Sequence, residues 1–201
     1  MESQILNKNI VVLGEFKPVQ FDKLFFIKKN LFKEMDFLPT SIFLPELAII
    51  ETNRFLIEIN QSKLTITYKL FNNDNESSYL NIEAILENSK VKAFGFNFKI
   101  DVFLNAKTES KKFFFFKENL LNNYFNSEDT AYGYFISKNL DTGRLNLDIK
   151  PVQLQKVGES KLVDALDFNF NFHFEHSEIN SQIKRYAEFE EITKKIIKSY
   201  E

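Results

Sequence analysis

The chain has no cysteine, no tryptophan and only five glycines among its 201 residues. Without a thiol it can form no disulfide, no thiolate nucleophile and no zinc–sulfur site, which suits a reducing compartment. So few glycines leave little material for the loops that cradle phosphate groups. No Walker, dinucleotide-binding, nucleophile-elbow or H-E-x-x-H motif occurs. These absences exclude P-loop nucleotide hydrolysis and leave no recognisable catalytic signature.

The chain also lacks an excess of charge of one sign and a long apolar run, and we expect no secretory signal. Its formal net charge is −2, whereas nucleic-acid-binding domains usually carry a marked basic excess. No stretch approaches the roughly 18 apolar residues of a membrane helix. The first residues do not follow the pattern of a secretory signal. We therefore expect a cytoplasmic protein that has no membrane association and does not have a nucleic acid as its main partner.

Phenylalanine is abundant, with 24 residues, and asparagine, lysine and isoleucine are also frequent. This mixture is typical of an AT-rich genome, which favours a bacterial or phage origin. Hydrophobic residues make up 44% of the chain and charged residues 27%, so a folded globular protein is expected. The length and the absence of any linker-like segment predict a single domain over residues 1–201.

The first half of the chain predicts a strand, a helix, a meander and a long strand. Apolar residues from Phe21 to Met35 recur at spacings of three, four and seven, which is typical of an amphipathic helix. Between residues 41 and 70, short alternating runs are separated by brief polar turns, which indicates three antiparallel strands. Further strands are predicted at residues 9–16 and 92–105, residues 71–78 are predicted to form a loop, and residues 79–88 fit either a helix or a strand.

The second half predicts two helices, a hairpin and a strand rich in phenylalanine. A cap-like start and an apolar face predict a helix over residues 108–125. Pro151 indicates an edge strand or the end of a strand, because proline cannot donate to a strand ladder. The remaining predicted elements are a hairpin turning at Asp141–Gly143, a strand at residues 167–175 and a long final helix from Ser177 to about Ser199.

Strands with one apolar face need a cover, and the predicted helices can supply it. We therefore predict an α+β fold in a single domain. It would have a curved, mainly antiparallel sheet of about seven or eight strands and about three covering helices, including a long C-terminal helix. The order of these elements resembles the layout of helix-grip domains, which bind lipids and other hydrophobic molecules. The resemblance lies in the layout alone and involves no residue motif.

The stretch DFNFNFHFEH, residues 167–176, contains both histidines of the chain and alternates phenylalanine with polar residues. On a strand, successive side chains point to opposite faces of the sheet. The polar residues therefore share one face, and they are the candidate contacts for a ligand or partner: Asn169, Asn171, His173 and Glu175. The simpler interpretation is that this face is only the solvated side of a strand whose other side is buried phenylalanine.

A metal site is the most specific enzymatic hypothesis for this stretch. Its ligands would be His173, Glu175 and His176, with Asp148 or Asp167 as an added carboxylate. On a regular strand His176 points away from the other two, so the three converge only if the strand ends or bulges at residue 175. The plain strand face is the favoured interpretation, and we predict no metal, no cofactor and no catalytic residue.

The other carboxylates and the basic clusters indicate ordinary surface charge. Glu190 and Glu191 are adjacent, as are Glu128 and Asp129, and both pairs are predicted to be solvated on a helix or loop. Lysines alternate with acidic residues along the predicted helices, which is typical of a mixed-charge surface. A Ser-His-Asp triad would have to use one of the two histidines, and no serine stands in a recognisable nucleophile turn.

Three hypotheses of different classes follow for the function. The leading one is a non-enzymatic interaction protein, an adaptor, sensor or complex subunit, that binds a protein partner or itself through a sheet edge or a helix face. It is motivated by the missing catalytic motifs and by more large apolar side chains than a small core needs. The alternative is a domain that binds a hydrophobic small molecule in a phenylalanine-lined cavity under the C-terminal helix. A divergent metal-dependent or nucleic-acid-processing subunit ranks third.

Overall fold

A nine-stranded antiparallel sheet is the framework of the protein in this computed structural model. The structure describes residues 2–69, 80–104, 132–156, 158, 160–175 and 185–200. The strands are β1 (Glu2–Glu15), β2 (Ile42–Phe43), β3 (Leu47–Glu51), β4 (Phe55–Asn60), β5 (Lys63–Tyr68), β6 (Lys90–Phe103), β7 (Tyr134–Leu140), β8 (Gly143–Gln155) and β9 (Leu162–Glu175). Their order across the sheet is β2-β3-β4-β5-β1-β6-β9-β8-β7. Among the strands of the described ranges, the sheet is therefore open, with β2 and β7 at its two edges.

Within the described ranges, three α-helices accompany the sheet: α1 (Lys23–Lys28), α2 (Ile82–Leu86) and α3 (Tyr186–Lys198). Only α3 is long, and it packs on one face of the sheet over the central strand β6. The α+β class, the antiparallel sheet and the long C-terminal helix are thus confirmed. The predicted count of seven or eight strands is wrong, because the two-residue edge strand β2 carries no alternation that a sequence pattern could detect.

The predicted helix from Phe21 to Met35 is wrong in its length. α1 has six residues and is capped by Asp22, whose carboxylate accepts a hydrogen bond from the backbone N–H of Phe25 at 2.7 Å. Asn30 then adopts a φ of 54°, a left-handed conformation through which a right-handed helix cannot continue. Met35, predicted to lie on the apolar face, is therefore 85% exposed.

Phenylalanines from two central strands form the apolar layer under α3. β6 and β9 pair so that Phe96 lies opposite Phe172, with further Phe–Phe pairs on both sides. The four phenylalanines of β9 are at most 1% exposed. Phe189 of α3 places its ring 4.8 Å from the ring of Phe172. The alternation predicted for residues 167–175 is confirmed, and the strand itself begins earlier, at Leu162.

The hairpin of β7 and β8 turns where the sequence predicts. Leu140 pairs with Gly143 across the two residues Asp141 and Thr142. Glycine is required at position 143, because a Cβ there would collide with the backbone carbonyl oxygen of His173. The missing side chain at Gly143 therefore allows the backbone of β9 to pass close to the start of β8.

Pro151 lies inside β8, so of the two predicted alternatives, an edge or a strand end, the strand end is wrong. The last residue pair between β7 and β8 joins Tyr134 to Ile149. In the described part of the chain, β8 continues past this point and pairs only with β9. Pro151 thus lies at a local edge, where the missing N–H costs no ladder hydrogen bond.

Several predictions fall wholly or partly on residues outside the described ranges. They are the loop at residues 71–78, the helix at residues 108–125 and the start of the final helix at Ser177. Helix α2 lies within the ambiguous stretch at residues 79–88, and its cap Asn81 accepts a hydrogen bond from a backbone N–H at 3.3 Å. That residues 1–201 form one domain stays a prediction.

Candidate functional site

The four candidate residues of β9 lie on the face of the sheet opposite α3, as their alternation predicts. Asn169, Asn171 and His173 are half-buried, and Glu175 is exposed. Neighbouring strands continue this surface on both sides of β9. We call it the polar face, meaning the side of strands β5, β1, β6, β9, β8 and β7 that is opposite α3 and that includes these four residues.

One row of the polar face carries an amide or hydroxyl side chain on each of six adjacent strands, and we call it the amide row. The Nδ2 atom of Asn97 donates to Oδ1 of Asn9 at 2.7 Å, and Nδ2 of Asn171 donates to Oδ1 of Asn97. The amides thus satisfy one another across the strands, which stabilises the sheet. The members of the row, in register order, are Thr67, Asn9, Asn97, Asn171, Asn146 and Ser137.

His173 lies on the polar face between Gly95 of β6 and Arg144 of β8. Its side chain is 39% exposed, and its Nε2 atom is 3.7 Å from Oε1 of Glu175. His176, the third residue of the hypothetical metal site, lies outside the described ranges. Within those ranges, no group of three or more His, Cys, Asp or Glu side chains is arranged to hold a metal ion. The described geometry therefore gives the metal hypothesis no support.

Two carboxylates face each other across β6 and β9. Asp101 lies directly opposite Asp167 on the polar face and is only 4% exposed. Burial, and then the negative charge of Asp167, raise the pKa of Asp101 to about 6, while the positive charge of Lys99 opposes this rise. The Nζ atom of Lys99 is 3.4 Å from Oδ2 of Asp167. Burial and this neighbour therefore bring the titration of Asp101 into the mildly acidic range.

The α3 side of the sheet contains a largely buried ion pair. β1 begins well before the strand predicted at residues 9–16, and its early part places Lys8 opposite Phe98. The Nζ atom of Lys8 is 3.7 Å from Oε2 of Glu190, and both side chains are at most 13% exposed. The prediction that Glu190 is solvated is therefore wrong, because this carboxylate faces the sheet and Lys8 compensates its charge.

The phenylalanines that could line a cavity under the C-terminal helix instead pack against it. The ring of Phe189 is 5.5 Å from that of Phe96 and 5.3 Å from that of Phe174. The ring of Tyr186, one turn earlier, is 5.1 Å from Phe96 and 5.3 Å from Phe98. Such distances are those of rings in direct contact. This packing gives no support to a ligand cavity beneath the described part of α3.

The two edges of the sheet differ in how well they are protected. β2 has two residues and lies between Pro39 and Pro45, and short edge strands and prolines both obstruct the addition of another strand. β7 has seven residues, contains no proline and has Lys138 as its only charged residue. In the part of the chain that the structure describes, β7 pairs with β8 alone. β7 is therefore the less protected edge.

β7 also exposes large apolar side chains on both faces of the sheet. Phe135 lies on the polar face and is 70% exposed. Ile136 lies on the α3 side and is 48% exposed. Single exposed apolar residues are common on protein surfaces, but adjacent ones on an edge strand are typical of a surface that contacts another chain.

The sequence patterns predicted the hairpin but did not single out β7 as a site. The available signal was the pair Phe135 and Ile136, two consecutive large apolar residues in a strand. A strand covered on one face buries only one of two such neighbours. These two residues indicate a binding surface because β7 is an edge strand. Its edge position depends on the order of the strands, which the sequence patterns do not give.

Comparisons with known proteins do not assign the chain to a group. No known protein family matches it, and no curated protein or solved structure matches it either. No helix in the described ranges is long and apolar enough to cross a membrane. Any functional assignment therefore rests on the geometry of the described residues.

Proposed function

We propose that the protein is a non-enzymatic interaction protein that binds a protein partner, or another copy of itself, through the β7 edge of its sheet. The observation that carries the proposal is the seven-residue length of β7 together with the exposed apolar side chains of Phe135 and Ile136. The bound segment would extend the sheet by one strand.

The backbone of β7 supplies the first part of the interaction. Leu140 and Gly143 flank a two-residue turn, and such flanking residues form a hydrogen-bonded pair. Every second residue of β7 therefore directs its backbone groups toward β8. The intervening residues, Phe135, Ser137 and Asn139, direct theirs away from the sheet, where an added strand would bond them.

Side chains supply the second part of the interaction. Full burial of a phenylalanine or isoleucine side chain is worth about 1.5 to 3 kcal/mol. A bound strand would cover Phe135 on the polar face and Ile136 on the α3 side, so it would have an apolar anchor on each face. Lys138 would favour a bound strand that places an acidic or aromatic side chain opposite it.

The outer face of α3 is a weaker candidate than β7. Mixed charge is typical of a solvated helix surface. Of the sheet edge and the helix face that the sequence suggested, the exposed apolar residues favour the sheet edge. The exposed charged residues of α3 are Glu188, Glu191, Lys194, Lys195 and Lys198.

The proposal places the interaction in the cytosol, in line with the absence of cysteine. It requires no metal, no cofactor and no nucleic acid. The candidate residues Asn169, Asn171, His173 and Glu175 would serve chiefly to keep the polar face solvated and in register, because Asn171 is already bonded within the amide row.

A substitution that blocks only the outer side of β7 tests the proposal. Ser137→Pro removes a backbone N–H that points away from β8, so the backbone hydrogen bonds between β7 and β8 are retained and only the side-chain hydrogen bond from Ser137 to Asn146 is lost within the sheet. Tagged parent and variant proteins are incubated with an extract of the source organism and with an isotope-labelled sample of the parent. Mass spectrometry then quantifies what each retains. We expect the parent to retain a specific protein, or the labelled copy, about tenfold more strongly than the variant.

Leu162→Lys is the matched control, because Leu162 is also an apolar strand residue with 62% exposure but belongs to β9. Thermal melts close to that of the parent establish that both variants fold. The control should retain the same proteins as the parent. Equal retention by the parent and Ser137→Pro, or no specific retention by the parent, would show the proposal to be wrong.

A further inference from the structure

The backbone of β7 restricts how two copies of this strand can pair. Its outward-directed residues are the odd-numbered ones, Phe135, Ser137 and Asn139, because Leu140 bonds toward β8. In a symmetric antiparallel pair, outward-directed residues must lie opposite one another. The two-fold axis is then perpendicular to the sheet and passes through a position where a residue lies opposite its own copy.

A register centred on Ile136 matches side chains of β7 with complementary ones. Ile136 lies opposite Ile136 of the second copy in a non-hydrogen-bonded pair, where side chains approach most closely. Lys138 lies opposite Tyr134 of the second copy, which brings a cation to an aromatic ring. Phe135 lies opposite Ser137 of the second copy and diagonal to the other Phe135, a separation that aromatic side chains can span.

The neighbouring registers match less well. A register centred on Lys138 places two like charges directly opposite each other, which is destabilising. One centred on Ser137 places the apolar Ile136 opposite Lys138. One centred on Phe135 pairs fewer residues of the strand, because β7 begins at Tyr134. The Ile136 register is the one of the four that places Ile136 opposite another aliphatic side chain and Lys138 opposite an aromatic ring, and it opposes no like charges.

The same symmetry keeps equivalent faces side by side. A two-fold axis perpendicular to the sheet brings the α3 side of one copy beside the α3 side of the other, and the two polar faces together. The amide row ends at Ser137, whose hydroxyl donates to Oδ1 of Asn146 at 2.7 Å. In the Ile136 register this end of the row lies opposite Phe135 of the second copy, and the two Ser137 residues are diagonal neighbours. Two nine-stranded sheets would thus become one.

We propose that β7 pairs with β7 of a second copy in the antiparallel register centred on Ile136, so that the protein forms a homodimer. This inference rests on the proposed function and names its partner. A single pair of strands buries less than the roughly 1,200 Å² of a standard interface. The dimer is therefore expected to dissociate at about micromolar concentration.

Sedimentation equilibrium between about 50 nM and 1 mM tests the dimer. The parent should pass from the monomer mass to twice that mass as the concentration rises. Phe135→Lys should need at least about tenfold higher concentration to reach the same fraction of dimer, because it removes an apolar contact beside the axis. Leu162→Lys should dimerise like the parent. Thermal melts of both variants confirm that they are folded.

A single introduced cysteine tests the register, because the chain has no other thiol. In the Ile136 register, the two Cα atoms at position 136 lie about 4.5 Å apart, a distance that a disulfide can bridge. Ile136→Cys should therefore give a covalent dimer under mild oxidation. Ser137→Cys should not, because its two thiols lie at diagonal positions beyond disulfide reach.

A parent that stays monomeric at every concentration would overturn the inference, as would a covalent dimer formed by Ser137→Cys and not by Ile136→Cys. These outcomes are distinct from failure of the proposed function. If the parent is monomeric but still retains another protein that Ser137→Pro loses, the β7 edge binds that protein and not a second copy. If the parent retains neither another protein nor a second copy of itself, both proposals fail.

Discussion

Asp101 is the residue whose surroundings change its chemistry most clearly. It lies on the face of β6 opposite α3, yet it is only 4% exposed and faces Asp167. These two conditions raise its pKa to about 6. The face of Asp101 could be predicted from alternation. Its neighbour could not, because a strand pattern does not fix the register that joins β6 to β9.

The raised pKa of Asp101 predicts a specific pH dependence of stability. Because its pKa in the folded protein lies above the ordinary value near 4, the unfolded chain releases this proton first as the pH rises. The contribution of Asp101 to stability is therefore fully present below about pH 4 and is lost between about pH 4 and pH 6. Asp101→Asn, which stays uncharged, should gain about 1 to 3 kcal/mol of unfolding free energy relative to the parent between pH 4 and pH 7.

Urea denaturation of the parent and of Asp101→Asn across this pH range measures that difference. Asp141→Asn is the matched control for the Asp-to-Asn change, since Asp141 lies in the exposed turn of the β7–β8 hairpin. If the unfolding free energies of the parent and of Asp101→Asn change in parallel with pH, the assignment of a raised pKa to Asp101 is contradicted.

At the scale of the element, β9 combines two faces with different energetic roles. Phe170 is 1% exposed in the layer of rings under α3, and Phe170→Ala should lower the unfolding free energy by about 3 to 5 kcal/mol. His173 is partly exposed on the polar face, and His173→Ala should change it by less than about 0.5 kcal/mol. Thermal and urea denaturation of the two variants, with metal analysis of the parent, measure both effects.

Two results would contradict this division of β9. A loss of several kcal/mol in both variants would mean that the polar face is covered as well as the α3 face. A stoichiometric metal that the parent binds and His173→Ala loses would mean that His173 is a ligand and that the solvated strand face is the wrong interpretation.

The elements also mark how far sequence patterns could predict the fold. Period-two alternation predicted β5, β6 and β9, because each buries one face under the same apolar layer. The helix that includes α1 was predicted too long, because spacing records which residues are apolar but not where the backbone turns. Asn30 ends that helical region through its own φ, and asparagine is only a weak local signal for this conformation.

In the whole molecule, the order of the strands is the feature that the local sequence patterns could not predict. β1 lies between β5 and β6, and β9 lies between β6 and β8. These non-local pairings decide which strands become edges. Both the exposed edge at β7 and the amide row depend on them, which is why neither could be predicted while the apolar face of β9 could.

The central claim is that the outer side of β7 binds another strand, and residue-resolved amide hydrogen exchange tests it most directly. In the dilute, unbound protein, the amides of Ile136 and Lys138 should be protected because they bond to β8. Those of Phe135, Ser137 and Asn139 should exchange rapidly. Under conditions that saturate binding, by a captured partner or by concentration of the protein itself, we predict that these three amides slow by about tenfold or more. If they remain fast under those conditions, while binding protects amides elsewhere, β7 is not the binding edge.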